Sequence, residues 1–255
     1  MLKDERLNIL ENYVNQHRFA SYHDLTRMLN ASKATIRRDL EALANSGRLV
    51  MVRGGAASIN SSVMSELAYD QKQQSHDAEK VRLAQEAVQF IKPRDTIILD
   101  AGTTIRKIVP FLAHISELHV ITCDIAIAAD LSYLSNVTVT VVGGTLRQGY
   151  FNLTGHFAET LMDHLCADIA FLSFDTISSK SEKCMITNMD EVGIKQKFIS
   201  VANRTVLLCD HSKFGHESVV GVCSIHDIDT FLVGKELASS TLDQFDSIRE
   251  RILLA

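Results

Sequence analysis

No stretch of this 255-residue chain is long and apolar enough to span a bilayer. Its first residues, MLKDERLNIL, are charged early and lack an apolar run leading to a small-residue cleavage site, so no secretory leader is expected. Cysteine is sparse and follows no pairing pattern. Cys123, Cys166, Cys184, Cys209 and Cys223 are odd in number and never spaced as C-x-x-C. That argues against a disulfide framework and fits reduced, mostly buried thiols in a cytoplasm. The ten histidines show no H-x-x-x-H pair with a third ligand at useful spacing, so no metal and no cofactor is expected. Positive charge is also missing from the whole, which carries a formal net charge of −5.

The deficit is uneven. Residues 1–57 hold nine Lys and Arg against six Asp and Glu, or +3, while residues 58–255 hold seventeen against twenty-five, or −8. A small basic head on a larger acidic body suits a DNA-binding domain joined to a sensor or enzyme domain.

Within the head, Leu2 to Val14 carries Leu2, Leu7, Ile9, Leu10, Tyr13 and Val14 at helical spacing. A polar break, NQHRFA, comes next. Ser21, with Asp24 three residues on, has the pattern of a capping box before YHDLTRML. Ser32 can cap a third helix running to Leu43 or Ala44, with Asn45 and Gly47 as its stop. A leading helix followed by two helices joined through about three residues makes a helix-turn-helix unit.

On the third helix, Ile36, Leu40 and Leu43 share one stripe and must pack inward. Ala34, Thr35 and Arg38 then face outward, flanked by Lys33 and Arg37. A small-residue face with basic flanks suits a major groove: Thr35 and Arg38 can reach base edges, and Lys33 and Arg37 can meet phosphates. A solvated cationic helix face would look similar from the helix alone. Past this helix, RLVMVRGGAASI reads as a strand, a Gly54-Gly55 hairpin and a second strand, the wing of a winged helix. Arg53 at its tip would lie near the backbone phosphates. The candidate DNA contacts are therefore Ser32, Lys33, Ala34, Thr35, Arg37, Arg38 and Arg53.

Residues 58–76 are polar and read as a linker. AEKVRLAQEAVQFI reads as an amphipathic helix with Val81, Ala84, Val88 and Ile91 on its buried face. Strands and helices then alternate to a C-terminal helix expected over Leu242 to Leu253, which predicts an α/β fold with a largely parallel sheet. Such sheets bind ligands at the carboxyl ends of their strands. Three strand ends there carry anion chemistry. Asp100-Ala101-Gly102-Thr103-Thr104 can hold a phosphate on backbone N–H groups and hydroxyls. Gly143-Gly144 can form a second nest, and Lys213 can supply a cation. Each alone is more often an ordinary turn.

TIRRDLEAL followed by RGGA, with Arg6 in the first helix, resembles the N-terminal signature of the DeoR family of bacterial regulators of sugar metabolism. The body is similar too: Glu79-Lys80, LDAGTT, VVGGTL, Gly155, DIAFL and DHSKFG resemble the family's landmarks across essentially the whole chain. The resemblance implies a winged helix-turn-helix over 1–57, a linker over 58–76, and an effector-binding and oligomerisation domain over 77–255. That last domain would be Rossmann-like and similar in fold to ribose-5-phosphate isomerase. It implies a cytoplasmic repressor of a carbohydrate-utilisation operon, bound to double-stranded operator DNA as a dimer or tetramer and modulated by a phosphorylated sugar. Asp100, Gly102, Thr103, Thr104, Asp124, Gly143, Gly144 and Lys213 are the implied effector residues.

Three departures stand out. Cys123-Asp124 follows Thr122 where the family has Asn. No glycine occurs between Gly155 and Gly193. Val233-Gly234 stands where the family ends in Thr-Asp. Glu191 and Lys195 keep the family pattern. An isomerase would need a positioned carboxylate base, for which Asp100, Asp124, Asp175 and Glu191 are candidates. The isomerases' own acidic and lysine-glycine motifs are missing. An architectural factor with a dead pocket is the third alternative.

Overall fold

Apolar residues recurring every three to four positions, each run closed by a polar cap, divide the N-terminal region into three helices. In the computed structural model these are α1 (Lys3–His17), α2 (Tyr22–Leu29) and α3 (Lys33–Asn45). The structure describes residues 3–17, 19–52, 55–58 and 69–255. The chain divides into two units, Met1–Ala68 and Tyr69–Ala255.

In the first unit the Asp24 N–H donates to Ser21 Oγ at 3.1 Å, capping α2 as expected. The expected reciprocal bond to the Ser21 N–H takes another form: the Asp24 carboxylate accepts the Ser21 hydroxyl at 2.6 Å. A serine hydroxyl both donates and accepts, so the pair closes on itself. Asn30 ends α2 at φ 46°, a left-handed conformation asparagine tolerates. Leu10 and Val14 of α1, Leu25 of α2 and Ile36, Leu40 and Leu43 of α3 bury against Leu49 and Ala56.

The polar break hides a strand. β1 (Phe19–Ser21) pairs antiparallel with β3 (Gly55–Ser58), which also pairs with β2 (Leu49–Val52). Gly55 is required by this approach, since a Cβ there would lie 1.9 Å from the Ala20 carbonyl oxygen. The helix-turn-helix therefore carries a three-stranded winged sheet.

The second unit begins with α4 (Tyr69–Gln74), inside the segment expected as linker, and α5 (Asp77–Val88). β4 (Thr96–Leu99), α6 (Thr103–Arg106), β5 (Leu118–Thr122), α7 (Ile125–Leu131) and β6 (Val137–Val141) alternate as expected. A hairpin of β7 (Thr145–Leu146) and β8 (Leu153–Thr154) precedes α8 (His156–Met162) and β9 (Ala167–Leu172). The glycine-free stretch forms β10 (Thr176–Ser178) and β11 (Lys183–Ile186), and its reversal puts Glu182 at φ 51°. Then come α9 (Val192–Val201), β12 (Ala202–Cys209), β13 (Val220–Ser224), β14 (Thr230–Val233), α10 (Ser239–Leu242) and β15 (Ile252–Leu254).

Seven strands make one sheet in the order β15-β14-β12-β9-β4-β5-β6, every neighbour parallel. β10, β11 and β13 form a separate antiparallel sheet. Both faces of the large sheet are covered. Ile97 and Leu99 of β4 point into one core with Leu83, Ile105 and Ile127, and Ile98 points into the other with Met162, Ile194 and Phe198.

Two expectations are corrected. The C-terminal helix is only α10 and a 3-10 run over Asp243–Arg251, after which Ile252–Leu254 adds an edge strand. Backbone pairing with β14 outweighs helix continuation here, since Leu253 and Leu254 stay exposed in the strand and burial does not decide it. The buried face of α5 is Glu79, Lys80, Leu83, Ala84 and Ala87, while Val81 and Val88 are only half-buried. Periodicity turns charges outward, and here specific partners turn two inward.

Candidate functional site

The outer face of α3 is built by its own N-cap. The Thr35 N–H donates to Ser32 Oγ at 3.2 Å, and the two hydroxyls lie 2.9 Å apart. Thr35 is thus half-buried and partly engaged, while Ser32, Lys33, Ala34, Arg37 and Arg38 are exposed. Arg37 Nε donates to Glu41 at 2.8 Å across one turn. Lys33 Nζ stands 5.6 Å from the Tyr22 ring centroid. Arg38 shows no ion pair among the described residues, which leaves its guanidinium open for a base edge. Arg53 lies outside the described residues.

Behind this face sits a residue that pattern reasoning missed. Asp39 is buried beside Leu40 and accepts a fork from Arg6, with Nε at 2.5 Å and Nη2 at 3.3 Å. Arg6 therefore fastens α1 to the recognition helix and does not face a ligand.

The second candidate site lies at the carboxyl ends of the adjacent strands β4, β9 and β12. After β4, Gly102 takes φ 137° and brings its backbone against Ser173, where a Cβ would meet the Ser173 Oγ at 2.9 Å. Thr103 and Thr104 follow, both buried. Lys80 reaches in from α5, with Nζ 3.2 Å from Thr103 Oγ1 and a second bond to the Lys72 carbonyl. Among the described residues no carboxylate binds its ammonium. Burial pushes its pKa from the ordinary 10.5 down to about 8; Asp210 partly offsets this, and Lys213 and Lys72 add to it.

Lys213, after β12, shows no ion pair or side-chain hydrogen bond among the described residues, and its charge is felt at Lys80, Asp175 and Asp210. Lys72 Nζ donates to Asp175 at 2.8 Å. Burial pushes the Asp175 carboxyl up, but Lys72 and Lys213 outweigh it and hold it well below the usual carboxylate range. Three lysines thus converge on one strand-end region.

The remaining predicted residues divide. Asp100 is buried and engaged: it accepts from the Ala101 and Ser173 N–H groups and pairs with the buried Lys195. Burial lowers the Lys195 pKa, yet Asp100 and Glu191 outweigh it and the ammonium stays charged. Asp124 caps α7 through the Ala126 and Ile127 N–H groups and accepts the Gly102 N–H at 3.3 Å. Burial pushes its carboxyl up against those backbone bonds. Both acids thus shape the loop from beneath. Gly143 and Gly144 are exposed between β6 and β7, and Gly144 packs on the Thr154 backbone. Since β5 separates β4 from β6, they stand about 10 Å across the sheet from the Gly102 loop. On that side Arg147 pairs with Glu191 and stacks 3.8 Å from the Tyr150 ring centroid.

Sequence pattern did not single out Lys72 or Lys80 as ligand-binding. One signal existed, the resemblance of Glu79-Lys80 to a family landmark, since an acidic first turn is by itself ordinary.

A further cluster joins the start of α5 to the turn after β12. Glu79 Oε2 lies 2.9 Å from His211 Nδ1 and 3.8 Å from His76 Nδ1. Spacing could not reveal it, because 132 residues separate Glu79 from His211.

Comparison with known proteins identifies the family of both units. The chain matches the DeoR-like helix-turn-helix domain over residues 6–62 and the DeoR C terminal sensor domain over 75–235. An HTH-type transcriptional regulator of Haemophilus influenzae is 30% identical, covering 93% of this chain and 91% of its own. The HTH-type transcriptional regulator YgbI of Escherichia coli is 32% identical over 94% and 93%. Ribose 5-phosphate isomerase A from Methanocaldococcus jannaschii aligns with TM-score 0.40 at 18% identity, covering 55% of each chain. The full-length relatives are named as regulators and not as enzymes.

Proposed function

The chain belongs to the DeoR family of DNA-binding transcriptional regulators, and on that premise we propose that it is a repressor of a carbohydrate-utilisation operon whose grip on its operator is modulated by a phosphorylated sugar. The observation that carries the reading is Lys80. A buried ammonium held only by neutral oxygens, with Lys213 and Lys72 close by, is an arrangement that a dianion would complete. The phosphate would lie on the Gly102–Thr104 backbone and the Thr103 hydroxyl, between Lys80 and Lys213. The sugar would extend toward Gly143-Gly144, Tyr150 and Arg147.

On DNA, Arg38 and Ala34 would meet base edges, and Lys33, Arg37 and Ser32 the phosphates; Thr35 would contribute on releasing its bond to Ser32. Arg53 would serve the wing. Two heads read most operators, so the working species would be a homo-oligomer in the cytoplasm. We place the head at 1–57 and the connection from 58, with Tyr69–Gln74, which the sequence reads as linker within 58–76, belonging to the sensor.

Titration calorimetry of sugar phosphates against wild type and Lys213→Ala tests this. A charge-assisted contact contributes about 1.5–3 kcal/mol, so the variant should bind about ten- to a hundredfold more weakly. Operator affinity without effector should be unchanged. Equal effector affinity in the two proteins removes Lys213 from the site, and a wild type that binds no phosphorylated sugar removes the effector.

A further inference from the structure

We infer that His76, Glu79 and His211 form a binding site for a divalent transition metal ion, best matched by Zn2+, that clamps the start of α5 to the turn after β12. The ligand atoms of the three lie within 4.8 Å of one another. Bonds of about 2.0–2.1 Å in a tetrahedral zinc site set ligand atoms ~3.3 Å apart. The separations of 2.9 Å and 3.8 Å at Glu79 Oε2 bracket that value, and binding would draw the set together from within 4.8 Å.

Hydrogen bonding alone does not account for the geometry. His211 Nδ1 is within bonding distance of the carboxylate, while His76 Nδ1 lies 3.8 Å from the same oxygen, beyond hydrogen-bond range, with its ring packed edge-on to His211 at 4.9 Å between centroids. Glu79 is also held as a metal-binding carboxylate is. Its Oε1 accepts the His211 backbone N–H at 2.7 Å, which leaves Oε2 as a single oriented donor.

Two sequence features find their use here. Gly234 clears the space for the carboxylate, since a Cβ there would lie 1.8 Å from Glu79 Oε1. His76 adopts φ 53° at the N-cap of α5, and its carbonyl accepts the Lys80 N–H while its side chain makes no capping bond. Two imidazoles and one carboxylate suit zinc, cobalt or nickel and not calcium or magnesium. Both imidazole side chains are about a third exposed, which leaves a coordination position open to solvent.

The ion would tie Lys80, next to Glu79, to Lys213, two residues past His211. Metal occupancy would then tune the phosphate grip. This coupling rests on the effector reading proposed for the Lys80 site, while the metal site does not.

The test uses tag-free, metal-stripped full-length protein, given Zn2+ in competition with a chromogenic chelator, and Co2+ with its visible spectrum recorded. One retained equivalent per chain and an intense four- or five-coordinate Co2+ spectrum are expected. His76→Gly and His76→Asn both suit a left-handed backbone. Each should fold as wild type does and lose at least about a hundredfold in Zn2+ affinity, the upper end of what loss of an outer-shell partner alone costs. Cys166→Ser, which removes an exposed thiol, should bind as wild type does. Failure to retain an equivalent, or unchanged affinity in both His76 variants, overturns the site. A protein that keeps its zinc but binds no sugar phosphate sinks the effector reading and leaves the metal site standing.

Discussion

A lysine with 3% of its surface exposed, and among the described residues only a carbonyl and a hydroxyl bound to its ammonium, keeps its proton at a cost. For Lys80 the folded pKa of about 8 lies below the ordinary 10.5. Below pH 8 both folded and unfolded chains are protonated and the cost is fully present. Between about 8 and 10.5 the unfolded chain binds more protons, so stability rises with pH. Lys80→Met removes that cost but also the donor to the Lys72 carbonyl and the Thr103 hydroxyl, so the net gain for the effector-free protein should be on the order of 1 kcal/mol at pH 7. Denaturant melts of both proteins should show that gap closing as pH rises through the window. The same variant should lose at least about tenfold in sugar-phosphate affinity. Wild type should take up a proton on binding near pH 8, visible as a buffer-dependent binding enthalpy. Asp124 acts in the opposite sense, since its carboxylate occupies the Gly102 N–H and opposes an incoming anion. Asp124→Asn keeps a cap acceptor and should bind sugar phosphate a fewfold more tightly; weaker binding would show that Asp124 contacts the sugar.

The recognition helix depends on two sides that do different work. Its inner side carries Ile36, Leu40, Leu43 and the Asp39 carboxylate that Arg6 clasps from α1. Its outer side carries Arg38 with no ion pair among the described residues. Arg38→Ala should leave the fold intact, cost about 1–3 kcal/mol at the cognate operator and relax specificity there. Lys33→Ala should weaken all DNA sequences alike and flatten the salt dependence. Arg6→Ala should differ from both, leaving Asp39 buried and unpaired so that the head melts at lower temperature and every DNA affinity falls together. Competition binding on operator and scrambled DNA, beside circular dichroism melts, separates the three. An Arg38→Ala protein with native operator affinity would assign the wrong face to DNA. The outer face of α3 was legible because Lys33, Arg37 and Arg38 are exposed, whereas Asp39 on its inner face, paired with Arg6 33 residues away, was not. The inward face of α5 was not, because Glu79 and Lys80 are buried by partners 132 and 23 residues away.

At the scale of the molecule the two units keep separate cores, one around Leu10, Leu25 and Leu40 and two on the faces of the large sheet. A fragment spanning residues 69–255 should fold cooperatively, bind sugar phosphate as the full chain does and lose operator binding. Should it aggregate, or bind effector tenfold more weakly, the head contributes to the sensor's fold. Local pattern by itself determined much of this protein: three head helices with their Ser21 and Ser32 caps, the inward stripe of α3, the alternation that makes a parallel sheet, and the Gly102 loop at a strand end. These arise from periodicity and capping, which act over a few residues. Only the tertiary structure decided that Phe19–Ser21 completes the wing, that Ile252–Leu254 closes the sheet edge, and that Asp100 and Asp124 brace the loop from below. It alone brought Lys80 to Thr103, and His76 and Glu79 to His211. In each of these the deciding contact joins segments tens of residues apart, where burial and a particular hydrogen-bond partner outweigh any local preference.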